Sequence, residues 1–300
     1  EGELERMTRR YAYGIADIIG PHTDIPAPDV YTGGKEMAWI MDTFSALKGN
    51  YVQPEVITGK PLAIGGSLGR NEATGRGLSF TVREAAKKLK VNMKSATVAV
   101  QGFGNAGQFA SQLVEEQGAK IIAASDSKGG VYNKAGISVL ALRKHKEKTG
   151  SVSGFPGSRP ISNEDLLETE CTILIPAALE NQITGRNAGK IRAKIVAEAA
   201  NGPTTPEADD ILYKNSILTI PDILANGGGV TVSYFEWLQN LRREYWSEDE
   251  VNKRLDRNIT KAFSDVYDTH EKYGVNMRKA STLLAVNRVV EAIKIRGLWP

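Results

Sequence analysis

The chain has 300 residues, room for one large domain or two of ordinary size. Hydrophobic residues make up 41% and charged residues 24%, and 38 basic against 35 acidic residues leave a net +3 with no dense basic block, which excludes a disordered or fibrous chain and a nucleic-acid partner. A single cysteine, Cys171, excludes an internal disulfide framework and a multi-cysteine metal site, and it fits a reducing compartment.

Residues 3–19 place Leu4, Met7, Tyr11, Ile15 and Ile18 at helical spacing, and Gly20-Pro21 ends the run. The loop over residues 21–34 carries three prolines, at positions 21, 26 and 28, and offers Asp24 and Asp29 as proton-transfer candidates. Prolines fix φ, so Asp29, beside Pro26-Ala27-Pro28, is the more rigidly held of the two. Residues 36–47 form a second amphipathic helix, and a glycine-rich stretch over 58–77 leads into a third that ends near Leu89. Strands over 97–101, 120–125, 172–176, 194–197 and 216–220 then alternate with helices over 105–117, 138–148, 163–167 and 206–213. That alternation predicts βαβ units and a mostly parallel sheet. After Gly227-Gly228-Gly229 the pattern turns helical: from Tyr234 to about Tyr245, from Ser247 with Glu250 completing a capping box, and from Met277 to Ile295. No apolar run approaches the roughly 18 residues of a membrane helix.

Between the first strand and the helix after it lies Gly102-Phe103-Gly104-Asn105-Ala106-Gly107. In such a turn the first glycine permits the bend, the second lets backbone approach a pyrophosphate, and the third lets helix and strand pack closely. The next helix's first N–H groups then face the phosphates. The second strand ends at Asp126, twenty-four residues after Gly102, near the spacing expected of an acid that holds the adenosine ribose. A carboxylate there favours NAD, whereas Ser127 and Lys128 offer a hydroxyl and a charge to a 2′-phosphate, so NAD and NADP both stay open. The fold expected is α/β: a Rossmann-type doubly wound parallel sheet flanked by helical segments, which the family resemblance described below makes a second, incomplete substrate domain. Residues 1–57 are assigned to that second domain, 58–226 to the dinucleotide-binding domain, and 227–300 to a hinge at Gly227–Gly229 and helices returning to the second domain.

Other chemistry is sparse. His22 neighbours the proline loop, while His145 and His270 lie in charged helical runs and read as solvated. No metal-ligand spacing and no Ser/His/Asp set appears, and Cys171 reads as core.

Five segments occur in order: residues 20–34, Arg70-Asn-Glu-Ala-Thr-Gly-Arg-Gly77, the turn at 102–107, Ala197-Glu-Ala-Ala-Asn201-Gly-Pro, and Pro221-Asp-Ile-Leu-Ala-Asn226-Gly-Gly-Gly-Val-Thr-Val-Ser233-Tyr-Phe-Glu236. Together they resemble glutamate dehydrogenases of the hexameric type, over essentially the whole chain. The resemblance implies NAD- or NADP-dependent, reversible oxidative deamination of L-glutamate to 2-oxoglutarate and ammonium, in a cytoplasmic homohexamer without membrane or nucleic-acid partners. It makes Asp29 the proton-transfer residue, Thr74 and Asn201 the holders of the nicotinamide carboxamide, and residues 102–107 the pyrophosphate turn. It also gives Asp126 the adenosine ribose, beside the cofactor-binding candidate Ser127, Asn226 the meeting point of substrate and nicotinamide, and Ser233 the side-chain carboxylate of glutamate.

Two departures accompany the match. Gly227 stands where the family commonly has alanine. The family's glycine-rich segment with its water-activating lysine has no counterpart, and Lys35 in Thr32-Gly-Gly-Lys35 belongs by resemblance to a different segment. With no initiator methionine at Glu1, the chain is expected to lack the first part of its second domain. The alternatives are a branched-chain or aromatic amino-acid dehydrogenase, which the Ser233 hydroxyl opposes, and a catalytically inactive dinucleotide-binding module, which the absent lysine favours.

Overall fold

A computed structural model describes residues 1–29 and 31–297. These residues divide into two compact units: Glu1–Ala73 with Gly229–Leu255, and Thr74–Gly228 with the described part of Asp256–Pro300. Sequence pattern predicts residues 58–73 in the dinucleotide unit and 256–297 outside it; the compact units divide them the other way. Periodicity shows that a helix buries one face but not against which partner, and Phe263, Val266, Met277 and Ala280 bury theirs in the core of the sheet.

The larger unit begins in α3 (Ala73–Lys88) and continues through β1 (Thr97–Gln101), α4 (Asn105–Glu116), β2 (Lys120–Asp126), β3 (Gly129–Tyr132), α5 (Val139–Thr149), β4 (Arg159–Ile161) and α6 (Asn163–Leu167). After these come β5 (Ile173–Pro176), β6 (Ile195–Ala197), α7 (Pro206–Lys214), β7 (Leu218–Ile220) and α8 (Asp222–Ala225). Its seven strands lie in the order β4-β3-β2-β1-β5-β6-β7. Strand β1 pairs in parallel with β2 and β5, and β5, β6 and β7 continue in parallel, while β3 runs against both β2 and β4. Strand β4 therefore runs with the parallel set, and the strand order reverses at β1 and β5, as in a doubly wound sheet. Val98 and Val100 face one core with Leu78, Val114 and Phe263, while Ala99 between them faces the other with Leu166 and Leu212. This is the two-sided burial that parallel strands require. The β3–β4 extension is absent from the sequence-based expectation because Gly129-Gly130 and Pro160 weaken its strand signal.

The smaller unit packs α1 (Gly2–Ile15) on α2 (Gly34–Leu47) through Ala12, Met37, Ile40 and Phe44, with Ile19 beyond α1 in the same cluster. Helix α9 (Gly228–Arg242) starts six residues earlier than the periodicity suggests, so Ser233 lies inside a helix. The glycines that hid its start answer a packing demand: a Cβ on Gly77 of α3 would come within 2.7 Å of the Gly228 Cα. Helices α10 (Glu248–Tyr273) and α11 (Met277–Arg296) complete the described chain.

Candidate functional site

The turn after β1 lies at the carboxyl ends of β1 and β5, where the strand order reverses. Gly102 has φ +92, and a Cβ there would lie 2.6 Å from the Ala177 backbone beyond β5. A Cβ on Gly107 would lie 1.9 Å from the Gly102 carbonyl oxygen. Both positions are closed to any side chain. Gly104 differs: it is exposed, caps α4 without a side-chain hydrogen bond, and has nothing within 4 Å of where a Cβ would be. The N-terminus of α4 thus meets open space, which fits a pyrophosphate held by backbone N–H groups. Phe103 is fully buried and its carbonyl accepts from Lys146 Nζ at 2.9 Å, while Asn105 is exposed and Ala106 half-buried beside the opening.

Asp126 ends β2 beside this turn. One carboxylate oxygen accepts the N–H of Lys128 and the Ser151 hydroxyl, both at 3.0 Å. The other accepts the N–H of Val152 at 2.8 Å and lies 3.2 Å from Lys146 Nζ. Burial alone would raise the Asp126 pKa, but these donors hold it below the ordinary carboxylate value. The side chain that sequence spacing assigns to the ribose is thus tied into the protein, with exposed Ser127 next to it.

Thr74, Asn201 and Asn226 belong to the same unit. Thr74 opens α3, where a Cβ on the adjacent Gly75 would meet the Ala110 nitrogen of α4 at 2.6 Å. The same helix touches backbone at Gly228, two residues beyond Asn226. Asn226 Nδ2 donates to Asn201 Oδ1 at 2.6 Å, so the two asparagines form a pair.

The smaller unit gathers Asp29 and Ser233 with residues the motifs left unassigned. Exposed Asp29 belongs to a turn in which its N–H donates to Thr32 Oγ1 at 2.8 Å. The proline loop is braced on Gly59: Thr58 N–H donates to the Pro26 carbonyl at 3.0 Å, and a Cβ on Gly59 would lie 2.5 Å from Pro28 Cδ. Gly59 and Lys60 N–H groups donate to the two carboxylate oxygens of Glu236 on α9, at 3.0 and 3.2 Å. Lys60 Nζ pairs with Glu236 at 2.6 Å, with both side chains fully buried. Burial pushes the Lys60 pKa down against the pull of Glu236, and Nζ also donates to the Ile57 carbonyl, so the side chain is held by two protein acceptors. Beside this pair, Arg70 Nε donates to Ser233 Oγ at 3.0 Å. Burial lowers the Arg70 pKa, partly offset by the charge of Glu236. A guanidinium joined to a hydroxyl in this way can hold a carboxylate.

Sequence reasoning does not single out Arg70, Lys60 or Glu236, although Arg70 and Glu236 lie inside two of the five motif segments. A signal existed for the α9 face: Ser233, Glu236 and Asn240 are polar at helical spacing, and all three are buried. His145 and His270 are half-buried rather than solvated; His145 Nε2 bonds to the Ser153 carbonyl and His270 Nδ1 to the Val275 carbonyl. Short turns fold back onto each ring, a contact that charge pattern alone does not reveal.

The sheet and turn define a Rossmann-type α/β protein. Residues 65–297 match the model of the Glutamate/Leucine/Phenylalanine/Valine dehydrogenase family, residues 1–46 match that family's dimerisation domain, and the chain belongs to this family. It is 52% identical to a glutamate dehydrogenase of Thermotoga maritima over 99% of its own length and 72% of the relative's. It is 50% identical to an NADP-specific glutamate dehydrogenase of Halobacterium salinarum over 100% and 72% of the two lengths, and 46% identical to a catabolic NAD-specific one of Bacillus subtilis over 98% and 69%. Among solved structures, the hetero-hexameric glutamate dehydrogenase of Thermus thermophilus in its leucine-bound form superposes with a TM-score of 0.93 at 36% identity, covering 100% of this chain and 71% of that one.

Proposed function

We propose that the chain is a glutamate dehydrogenase acting with NAD or NADP, converting L-glutamate and water to 2-oxoglutarate and ammonium with release of one proton, and running in reverse. One observation carries the choice of glutamate within the family: Ser233 accepts from the half-buried guanidinium of Arg70. That polar, cationic wall suits the distal carboxylate of glutamate, whereas leucine, valine or phenylalanine would need an apolar one.

In this reading residues 102–107 hold the pyrophosphate, Asp126 and Ser127 face the adenosine ribose, and Thr74 and Asn201 hold the carboxamide. Asn226 orients the substrate at the reacting end, and Ser233 with Arg70 binds the distal carboxylate. The oxidised nicotinamide supplies the hydride acceptor for the substrate Cα. Asp29, exposed in a loop stiffened by Pro26 and Pro28, moves protons to and from the substrate nitrogen. Water adds at the oxidised carbon and ammonium leaves.

Steady-state rates with L-glutamate, L-leucine, L-valine and L-phenylalanine, each with NAD and NADP, test the proposal. Glutamate is expected to exceed the others in kcat/KM by roughly 100-fold or more, the discrimination a charged pocket gives over an apolar side chain. Equal or faster turnover of leucine would sink it. A cytoplasmic homohexamer is part of the same reading. Among the described residues no helix is long and apolar enough to cross a membrane, and α1 leaves Leu4, Met7 and Tyr11 exposed in the segment that matches the dimerisation domain. Light scattering that found only monomer would remove the assembly from the proposal.

A further inference from the structure

Arg278, in the first turn of α11, is ringed by carboxylates. Its Nη2 donates to Glu198 Oε1 at 2.5 Å, its Nη1 to Asp222 Oδ1 at 3.0 Å, and its Nε to Asp209 Oδ2. Glu198 directly follows β6 with a fully buried side chain, Asp222 follows β7 at the start of α8, and Asp209 lies on α7. Burial pushes the pKa values of Glu198 and Asp209 up. Burial would push Arg278 down, but its bonds to Glu198 and Asp209 hold it above the ordinary guanidinium value. One planar fork thus ties together the ends of two neighbouring strands and a helix.

Those strand ends carry the asparagine pair. Glu198 Oε2 accepts the N–H of Asp222 at 2.7 Å, and Asp222 Oδ2 accepts the N–H of Gly202 at 2.7 Å. Gly202, with φ +55, immediately follows Asn201, and Asn201 accepts from Asn226. A continuous set of hydrogen bonds and chain links therefore runs from Arg278 through Glu198 and Asp222 to Gly202, Asn201 and Asn226. Three carboxylates brought together repel unless a cation with several directed donors lies among them. A lysine would supply the charge but not the fork.

We infer that Arg278 is a positioning residue, setting through Glu198 and Asp222 the loops that present Asn201 and Asn226 to the nicotinamide half of the dinucleotide. The inference rests on the cofactor reading proposed above. Arg278→Lys and Asp222→Asn in the whole chain test it by three measurements. The first is hydrogen exchange at the Gly202 amide without cofactor, which is expected to quicken in both variants. Unchanged exchange overturns the inference whatever the protein binds. The second is calorimetric affinity for the oxidised dinucleotide and for ADP-ribose, which lacks the nicotinamide. The dinucleotide is expected to weaken by roughly 10- to 100-fold, as displaced positioning groups do, with ADP-ribose held within about twofold. Equal weakening of both ligands, or of neither, overturns the inference. The third is kinetic: kcat is expected to fall with KM for glutamate unchanged, and a rise in that KM alone counts against it. Should Arg278→Lys fail to fold, Asp222→Asn, which leaves the bonds to Glu198 and Asp209 in place, decides by the same criteria. Should the unaltered protein bind neither ligand, the cofactor reading falls and takes the inference with it, an outcome distinct from a failed split between the two ligands.

Discussion

In the proposed reading the two units meet negative charge by opposite means. At the turn after β1 no charged side chain is required: glycines at 102 and 107 admit close backbone packing, and open space at Gly104 faces an uncapped helix end. In the smaller unit the anchor is a fixed charge. Arg70 is buried enough to have its pKa lowered, so it draws on the charge of Glu236, and Glu236 in turn needs Lys60 and two backbone N–H groups. An open helix N-terminus offers N–H groups that need no charged partner of their own, whereas a cation withdrawn from water carries a desolvation cost and recruits partners to offset it. Added volume should therefore break the first region, and removed charge the second.

The largest effect is expected for Lys60→Met. It strands Glu236, whose side chain is fully buried, and breaking a buried pair from one side costs about 3–5 kcal/mol. Urea denaturation measures it. A single-variant cost below about 1 kcal/mol would mean that the charge is not what holds this region.

Gly107→Ala comes next. With its Cβ placed 1.9 Å from the Gly102 oxygen, the turn must shift, at an expected cost of about 1–3 kcal/mol and with dinucleotide affinity lowered. Binding of glutamate analogues should be untouched, and calorimetry with both ligands separates the two outcomes.

Ser233→Ala removes one hydroxyl acceptor from Arg70, an expected loss of about 1 kcal/mol, seen as a several-fold rise in KM for glutamate. Unchanged KM would leave Arg70 alone as the anchor.

The turn was legible in the sequence and the charged anchor was not, for a physical reason. Gly102, Gly104 and Gly107 act within six residues, so spacing alone carries their roles. Arg70 and Ser233 are 163 positions apart and Lys60 and Glu236 are 176 apart, and no local pattern pairs such residues. The parallel strands were legible because burial on both faces makes them continuous apolar runs, while the β3–β4 extension hid behind its glycines and proline. The motifs singled out Asp126 for the ribose, but three of its four protein donors, on Lys146, Ser151 and Val152, lie on segments that come together only in three dimensions.

The smallest effect on stability is the most discriminating for the turn. Gly104 has φ −80, which any residue adopts, and nothing lies within 4 Å of the place a methyl group would take, so Gly104→Ala should change stability by less than about 1 kcal/mol, the size of an N-cap preference. Yet the methyl would occupy the space through which a pyrophosphate reaches the N-terminus of α4, so dinucleotide affinity should fall by roughly 10-fold or more, about 1.4 kcal/mol. Gly107→Ala lowers stability and affinity together; Gly104→Ala should lower affinity alone. If affinity survived Gly104→Ala, the opening would not be the route of the phosphates, and the contrast between a backbone-held and a charge-held anion would lose its first half.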